Sequence, residues 1–410
     1  MKVKRCYPVI HWPHHAQNVA TSQQVSRDIQ DLWDRVSQFL LDRSLSLAWM
    51  LQLPWRLWRP PCEYKLSNWW RTSQDPPHAL HIVCYYGLDE VLNRLLSTGI
   101  GTGKLENTLE LELFGGTPLL HAISGGFARA VQCLLNFGVE TETRFRRGIT
   151  PLGAAVRLGN EKISQLLIDR GAGVEARDNI GQTPLSHAAQ AGRQVVAQLL
   201  LDRGAEIETR DNDGRTPLSN AAWCGKKNIM RLLLDRGAEL EARDDSGWTP
   251  LSHAAQGGRK DAMQLLLGRG AEIETRDNDG RTPLSRAAVC GIIAVVELLL
   301  EYGAKIETRD NRSRTPLSHA AEFAASHGDS AMVCFLLTWP TINIHSLDDR
   351  GRTAIGWAEA ISEKRTGRGK IASEAVVAIL KAALLQNSHN LFTDGDGAAL
   401  SSNGGHTIAC

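Results

Sequence analysis

A Thr-Pro-Leu tripeptide returns along this chain at a constant interval, and the period limits the possible folds more than composition does. The copies start 33 residues apart, at Thr117, Thr150, Thr183, Thr216, Thr249, Thr282 and Thr315. The fifteen-residue segment AEIETRDNDGRTPLS also occurs twice without change, at 205–219 and 271–285. A fixed period of this length predicts stacked copies of one small element, because a single copy cannot bury its apolar face alone.

Each copy carries the signals of two short helices joined to the next copy by a turn. Thr183 is a good helix N-cap, and Pro184 then stands at the first helical position, where its missing N–H costs nothing. Gly192 predicts the end of this helix. A second helix is expected to carry the apolar stripe at 195–201. The segment RDNDG at 210–214 then predicts a turn.

These units resemble the ankyrin repeat, and with two imperfect flanking copies the resemblance covers about residues 78–385. It implies an all-α solenoid of about nine helix pairs with β-turn fingers. The family usually has His after Thr-Pro-Leu, whereas most copies here have Ser, whose hydroxyl can make a similar turn bond. Phe145 replaces the turn Asp of one finger and Ser313 the turn Gly of another. These two fingers are expected to be distorted or adapted to a partner.

Composition divides the chain into three regions. Residues 1–76 hold seven of the eleven tryptophans and are expected to form a helical cap on the first repeat or, alternatively, a docking segment. Residues 77–385 are the repeat array, and the polar, Gly-rich residues 386–410 are expected to be a disordered tail. The first region followed by the repeats also resembles the corresponding part of fungal NACHT-type (STAND) NTPases. That resemblance implies a stand-alone relative, or a gene fragment, of their sensor part.

Charge and hydropathy argue against several kinds of partner. With 46 basic and 45 acidic residues the net charge is +1, which gives no overall field for nucleic acid or an anionic membrane. No run reaches the roughly 20 apolar residues of a membrane span. Eight cysteines without a C-x-x-C pair predict free thiols in an intracellular protein, in the cytoplasm or the nucleus. The basic stretch 364–370 is either a solvated loop or a nuclear import signal.

The sequence lacks the signatures of catalysis or cofactor binding. GIGTGK at 99–104 misses both the first Gly and the hydroxyl residue that a phosphate-binding loop needs. HWPHH at 11–15 has no Cys or carboxylate partner at zinc-like spacing. His187, His253 and His319 recur with the period and are assigned to the scaffold. We therefore expect no enzyme, cofactor, metal or small-molecule substrate.

Positions that vary between the copies indicate where a partner would bind. The variable residues are those just before each Thr and seven after it. The candidates for partner binding are Arg215, Trp223, Trp248, Arg281 and Arg314. If the family geometry holds, they line the concave face, with Trp223 and Trp248 together on adjoining repeats. An exposed aromatic flanked by arginines is typical of interface hot spots. The alternative is that each Trp covers local apolar surface.

The sequence thus predicts a non-catalytic scaffold that binds a protein through its concave surface. Two alternatives stay open. One is a regulatory subunit, such as a transcription co-regulator that holds a DNA-binding protein. The other is the orphaned sensor region of a STAND NTPase. Replacing Trp223 and Trp248 with Ala is expected to abolish binding with little change in thermal stability.

Overall fold

The computed structural model of the chain describes residues 117–393, residues 89–98, and positions 81, 83, 84 and 87. The predictions for residues 1–76, for GIGTGK at 99–104 and for the end of the tail lie outside these residues. The chain divides into two compact units, with the boundary between Glu206 and Ile207, here called the N-terminal and C-terminal bodies. In the described part of both, every regular element is helical. The predicted all-α class is confirmed.

The N-terminal body contains seven helices in its described part. They are α1 (Asp89–Thr98), α2 (Pro118–Ser124), α3 (Ala128–Asn136), α4 (Pro151–Leu158), α5 (Glu161–Asp169), α6 (Pro184–Ala191) and α7 (Gln194–Asp202). A 3₁₀ turn at Arg146–Gly148 precedes α4. Helices α2, α4 and α6 pack side by side in one layer, and α1, α3, α5 and α7 form the second layer. Each repeat therefore supplies one helix to each layer.

The C-terminal body continues the same plan. Its helices are α8 (Pro217–Cys224), α9 (Lys227–Asp235), α10 (Pro250–Gln256), α11 (Lys260–Gly268), α12 (Pro283–Val289), α13 (Ile293–Glu301), α14 (Pro316–His327), α15 (Ala331–Leu337), α16 (Ala354–Ser362) and α17 (Arg368–Thr393). Helices α8, α10, α12, α14 and α16 form its first layer, and α9, α11, α13 and α15 form the second. Helix α17 packs on α14, α15 and α16 and continues past residue 385, where the sequence places the end of the array.

The predicted helix caps are confirmed. The hydroxyl of Thr183 accepts a hydrogen bond from the backbone N–H of Ser186, and the Thr that opens each first helix from α2 to α16 does the same. The Ser186 hydroxyl lies 3.3 Å from that of Thr183, which is the turn bond expected of Ser in place of His. Gly192 ends α6 in the left-handed conformation, with φ of 76°. These local signals fix where each helix starts and stops.

The core lies between the two layers, and its residues are small in one layer and branched in the other. In the repeat that begins at Thr183, Ala188 and Ala189 are fully buried, which lets neighbouring first helices approach closely. In the second helix Val196 and Leu200 are buried, but Val195 is 58% exposed. The apolar stripe predicted over 195–201 is therefore narrower than expected, because only one face of α7 meets the first layer.

The two unusual fingers keep the ordinary turn. Asp178 shows the standard pattern: its N–H donates to the carbonyl of Gln182, and its own carbonyl accepts from Gly181. Phe145 makes the same two backbone bonds, with Ile149 and Gly148. Ser313 takes the position of the turn Gly with φ of 58°, a left-handed conformation that costs a residue with a side chain about 1 kcal/mol. The Phe145 finger also contains a left-handed residue with a side chain, Arg147, with φ of 65°. Both fingers therefore keep the closing hydrogen bonds of the turn, but each carries local backbone strain of the kind that the sequence predicts.

Consecutive fingers are joined by carboxylates. Glu208 Oε1 accepts the backbone N–H of Glu239 at 2.8 Å, and Glu241 does the same for Glu272 at 2.9 Å. Burial is the main reason that the pKa values of Glu208 and Glu241 are raised, against the opposing effect of these bonds. The fingers are thus tied repeat to repeat by side chains as well as by stacked helices.

Four of the described cysteines, Cys84, Cys133, Cys224 and Cys290, carry free thiols, as expected. Cys334 departs from that expectation, since it is disulfide-bonded. Within the described ranges, no helix has the length and apolar character needed to cross a bilayer.

Candidate protein-interaction surface

The turn aspartates organise the face that carries the candidate residues. Oδ1 of Asp244 accepts the backbone N–H groups of Ser246 and Trp248, at 2.9 and 2.8 Å. Its Oδ2 lies 2.9 Å from Nε2 of His253, and both side chains are almost fully buried. A single carboxylate therefore closes the turn and also fixes the side chain four residues after the helix-capping Thr.

The same slot is filled differently in other repeats, and in the five named next it is bonded to the turn Asp nine positions earlier. The pairs are His187 with Asp178, Asn220 with Asp211, Arg286 with Asp277, His319 with Asp310 and Trp357 with Asp348. The distances between the bonded atoms run from 2.7 to 3.4 Å. The slot thus holds a variable but rigidly positioned side chain in each of these repeats.

Burial determines the charge of the slot residue in two of these pairs. It lowers the pKa of His187 to about 4, which outweighs the attraction of Asp178, and it likewise lowers the pKa of His319. Burial alone would raise the pKa of Asp310, but the bonds from His319 and from the backbone N–H of Arg314 lower it well below its usual range. The rings of His187 and His319 are therefore neutral at neutral pH, and each donates a hydrogen bond to its turn aspartate.

The two candidate tryptophans meet through His253 and differ in exposure. The Trp248 ring is half-buried, with its centroid 5.1 Å from that of His253 and the Arg286 guanidinium 4.2 Å from its own centroid. Trp223 contacts His253 edge to face at 6.2 Å. Its residue is 40% exposed, and it is the one exposed tryptophan in the part of the chain that the structure describes. The His253 ring therefore contacts one exposed tryptophan, Trp223, and one half-buried tryptophan, Trp248.

The candidate arginines also differ from one another. The Arg215 side chain is 39% exposed and lies 3.6 Å from Asp213. The Arg281 side chain is 21% exposed and lies 3.5 Å from Asp279. Arg281 Nε also lies 4.0 Å from Oδ2 of the buried Asp310. Arg215 is therefore accessible to a partner, and Arg281 is accessible only in part.

Arg314 corrects the expectation that all five candidates are exposed. It is buried, with its guanidinium bonded to Asp310 at 3.1 Å and to Glu322 at 3.0 Å. These two internal carboxylates neutralise the Arg314 guanidinium, which the sequence predicts to contact a partner. We therefore leave Arg314 out of the candidate surface.

Some residues of this face were missed by sequence reasoning. Arg286 stacks on Trp248, and the Arg352 guanidinium lies 3.6 Å from the centroid of Trp357. The spacing of nine between Asp and His at 178/187, 244/253 and 310/319 was a usable sequence signal for the slot. Among the described residues, no three His, Cys, Asp or Glu side chains are grouped so that they could hold a metal ion.

Comparison with known proteins gives one family. Family models described as ankyrin repeats (3 copies) match residues 80–178, 170–244, 240–310 and 277–348, which together span most of the chain. No curated protein matches the sequence significantly. These matches give no support to the resemblance to NACHT-type NTPases.

Proposed function

The chain belongs to the ankyrin-repeat family, and we propose that it acts as a non-catalytic scaffold that binds a partner protein. Ankyrin repeats generally mediate protein–protein interaction. The observation that carries the proposal is the exposed ring of Trp223, supported from beneath by the buried pair of His253 and Asp244. A large exposed aromatic on a rigid base is the composition of an interface hot spot.

The proposed mechanism is rigid presentation. His253 is fixed by its bond to Asp244, and Trp248 is held between His253 and Arg286. Side chains that are already ordered lose little conformational entropy when a partner binds, so more of the contact energy appears as affinity. Arg215 and Arg281 extend the surface on either side with partly exposed guanidinium groups. The surface therefore combines an apolar anchor with polar contacts around it, as specific interfaces do.

Affinity capture of interacting proteins with the purified full chain tests this proposal. Wild type, Trp223→Ala and Tyr302→Ala are compared by quantitative mass spectrometry. Tyr302 is 50% exposed at the end of α13 and provides a matched loss of an exposed aromatic. The proposal predicts a protein retained by wild type and Tyr302→Ala but depleted by Trp223→Ala. No reproducibly retained protein would reject the scaffold function, whereas equal retention by Trp223→Ala would reject this surface.

A further inference from the structure

Four cations beside Trp223 have no carboxylate partner in the described part of the chain. Lys226 and Lys227 stand at the start of α9, and Arg259 and Lys260 at the start of α11. None of these four residues, here called the basic loop pair, forms an ion pair within the described ranges.

Some surface arginines of the same body do have a carboxylate partner. Arg269 lies 2.9 Å from Asp235, and Arg352 lies 3.1 Å from Asp348. Within the described residues, single surface cations without an ion pair also occur in this body, for example Arg312 and Arg350. What distinguishes the basic loop pair is that four such cations are grouped in two adjoining loops.

The two loops are held together at Trp223. Arg259 Nε donates to the carbonyl oxygen of Trp223 at 3.1 Å. Gly257 approaches the same oxygen so closely that a Cβ at this position would lie 2.6 Å from it. Lys226 and Arg259 both act electrostatically on Cys224, the residue that follows Trp223. The exposed ring and the cations therefore form one surface, fixed by contacts between adjoining repeats.

The local charge is strongly unbalanced. Residues 223–228 and 256–261 contain the four cations and a single acid, Asp261. The first turns of α9 and α11 add the partial positive charge of free backbone N–H groups, and neither helix has a side-chain cap. An anionic group that docks here meets side-chain cations and helix ends of the same sign.

The repeat itself does not require these basic residues. The equivalent loop of the next repeat reads CGII at 290–293, and its helix α13 forms without any charge there. Lys at the first position of a helix is also opposed by the helix dipole, which favours Asp or Glu at that end. Lys227 and Lys260 thus disfavour the helices that they begin, but they favour the binding of an anion.

We propose that Trp223 and the basic loop pair dock an acidic peptide segment of the partner protein, with an apolar residue on the Trp223 ring and carboxylates on the cations. This inference rests on the proposed scaffold function and names the chemistry of its partner. The Coulomb attraction is accessible to solvent, so binding weakens as salt rises. Charge complementarity of this kind mainly sets specificity and the rate of association.

Fluorescence anisotropy with the full chain tests the proposal. The probe is a labelled synthetic peptide in which glutamates flank one central leucine, and the comparison peptide has glutamine in place of each glutamate. Lys227→Glu/Lys260→Glu is the main variant, because acidic residues at these helix starts favour folding. Arg312→Glu/Arg350→Glu is the matched control, since it makes the same charge change at exposed finger turns. Trp223→Ala removes the apolar anchor alone.

The expected result is that Lys227→Glu/Lys260→Glu weakens binding of the acidic peptide by at least about tenfold, whereas the finger-turn control changes it less than about twofold. Trp223→Ala weakens binding to an intermediate degree. Equal binding of the glutamine peptide, or equal loss in both double variants, would overturn the inference. So would binding of single-stranded DNA at these lysines without binding of the acidic peptide. If the peptide fails but a captured protein still needs Trp223, the scaffold function survives and only the acidic segment is rejected.

Discussion

Nε2 of His187 lies 3.1 Å from Oδ2 of Asp178, and each side chain is only 4% exposed. The neutral ring donates this hydrogen to the carboxylate, while Nδ1 is buried without a hydrogen-bond partner. Protonation would place a second N–H, and a charge, in the core without an acceptor. This is why burial lowers the pKa of His187 to about 4.

The first prediction is a loss of stability in mild acid. The unfolded His187 titrates near 6.5 and the folded one near 4, so the unfolded state binds more protons between these values. The stability that the neutral His187 contributes is therefore fully present above pH 6.5 and is lost as pH falls towards 4. The contribution of His187 between pH 7 and pH 5 is on the order of 1–2 kcal/mol. Urea unfolding at the two pH values measures it.

His187→Asn is the control for this pH effect. Asn220 fills the same slot against Asp211 in a neighbouring repeat, so Asn preserves the bond and removes the titration. The pH-dependent loss should shrink by the amount assigned to His187. An unchanged loss in the variant would show that other groups cause it.

The second prediction concerns the turn carboxylate. Asp244→Ala removes the acceptor for His253 and for the N–H groups of Ser246 and Trp248. Leaving these groups unpaired should lower the free energy of unfolding by roughly 2–4 kcal/mol. Asp244→Asn retains an acceptor oxygen and should lose about half as much. If Asp244→Ala lowers the free energy of unfolding by less than about 0.5 kcal/mol, the hydrogen bonds of Asp244 do not contribute to stability as predicted.

The third prediction separates the two tryptophans by their burial. Trp223→Ala removes an exposed ring and should reduce the free energy of unfolding by less than about 1 kcal/mol. Trp248→Ala empties a half-buried position between His253 and Arg286 and should cost about 1–3 kcal/mol. Chemical denaturation of both variants decides this. Equal losses would contradict the different burial of Trp223 and Trp248. Unchanged stability in both variants would support the expectation from sequence that neither tryptophan stabilises the fold.

The fourth prediction uses two glycines with the same backbone conformation and different surroundings. Gly270 has φ of 88°, and a Cβ at this position would have no other heavy atom within 4 Å, so Gly270→Ala should cost only about 1–2 kcal/mol of left-handed strain. Gly214 has φ of 78°, but a Cβ would lie 2.8 Å from the backbone nitrogen of Asp245. Gly214→Ala should therefore lower the melting temperature clearly more than Gly270→Ala. Equal shifts would indicate that the fingers are loosely packed.

Much of the fold follows from local signals in the sequence. The capping Thr183, the following Pro184 and the closing Gly192 each act through their own backbone, so their roles could be predicted without tertiary contacts. The exposure of Val195 could not, because it depends on how wide a face of α7 the first layer covers.

The candidate surface was predictable only in part. Trp223 lies where its repeat position indicates, on an accessible face. The burial of Arg314 depends on Glu322 and Asp310, which lie on different elements and meet it only in the folded chain. The lack of ion pairs at the basic loop pair is likewise a property of three-dimensional neighbours, and the period alone does not reveal it.

Hydrogen exchange of the full chain, with and without a protein partner obtained by affinity capture, tests the central claim most directly. We predict slower exchange on binding in peptides that contain residues 221–227 and 253–260, around Trp223 and the basic loop pair. Unchanged exchange in both segments, with protection confined to the surface of α13 near Tyr302 or to the finger turns, would contradict it.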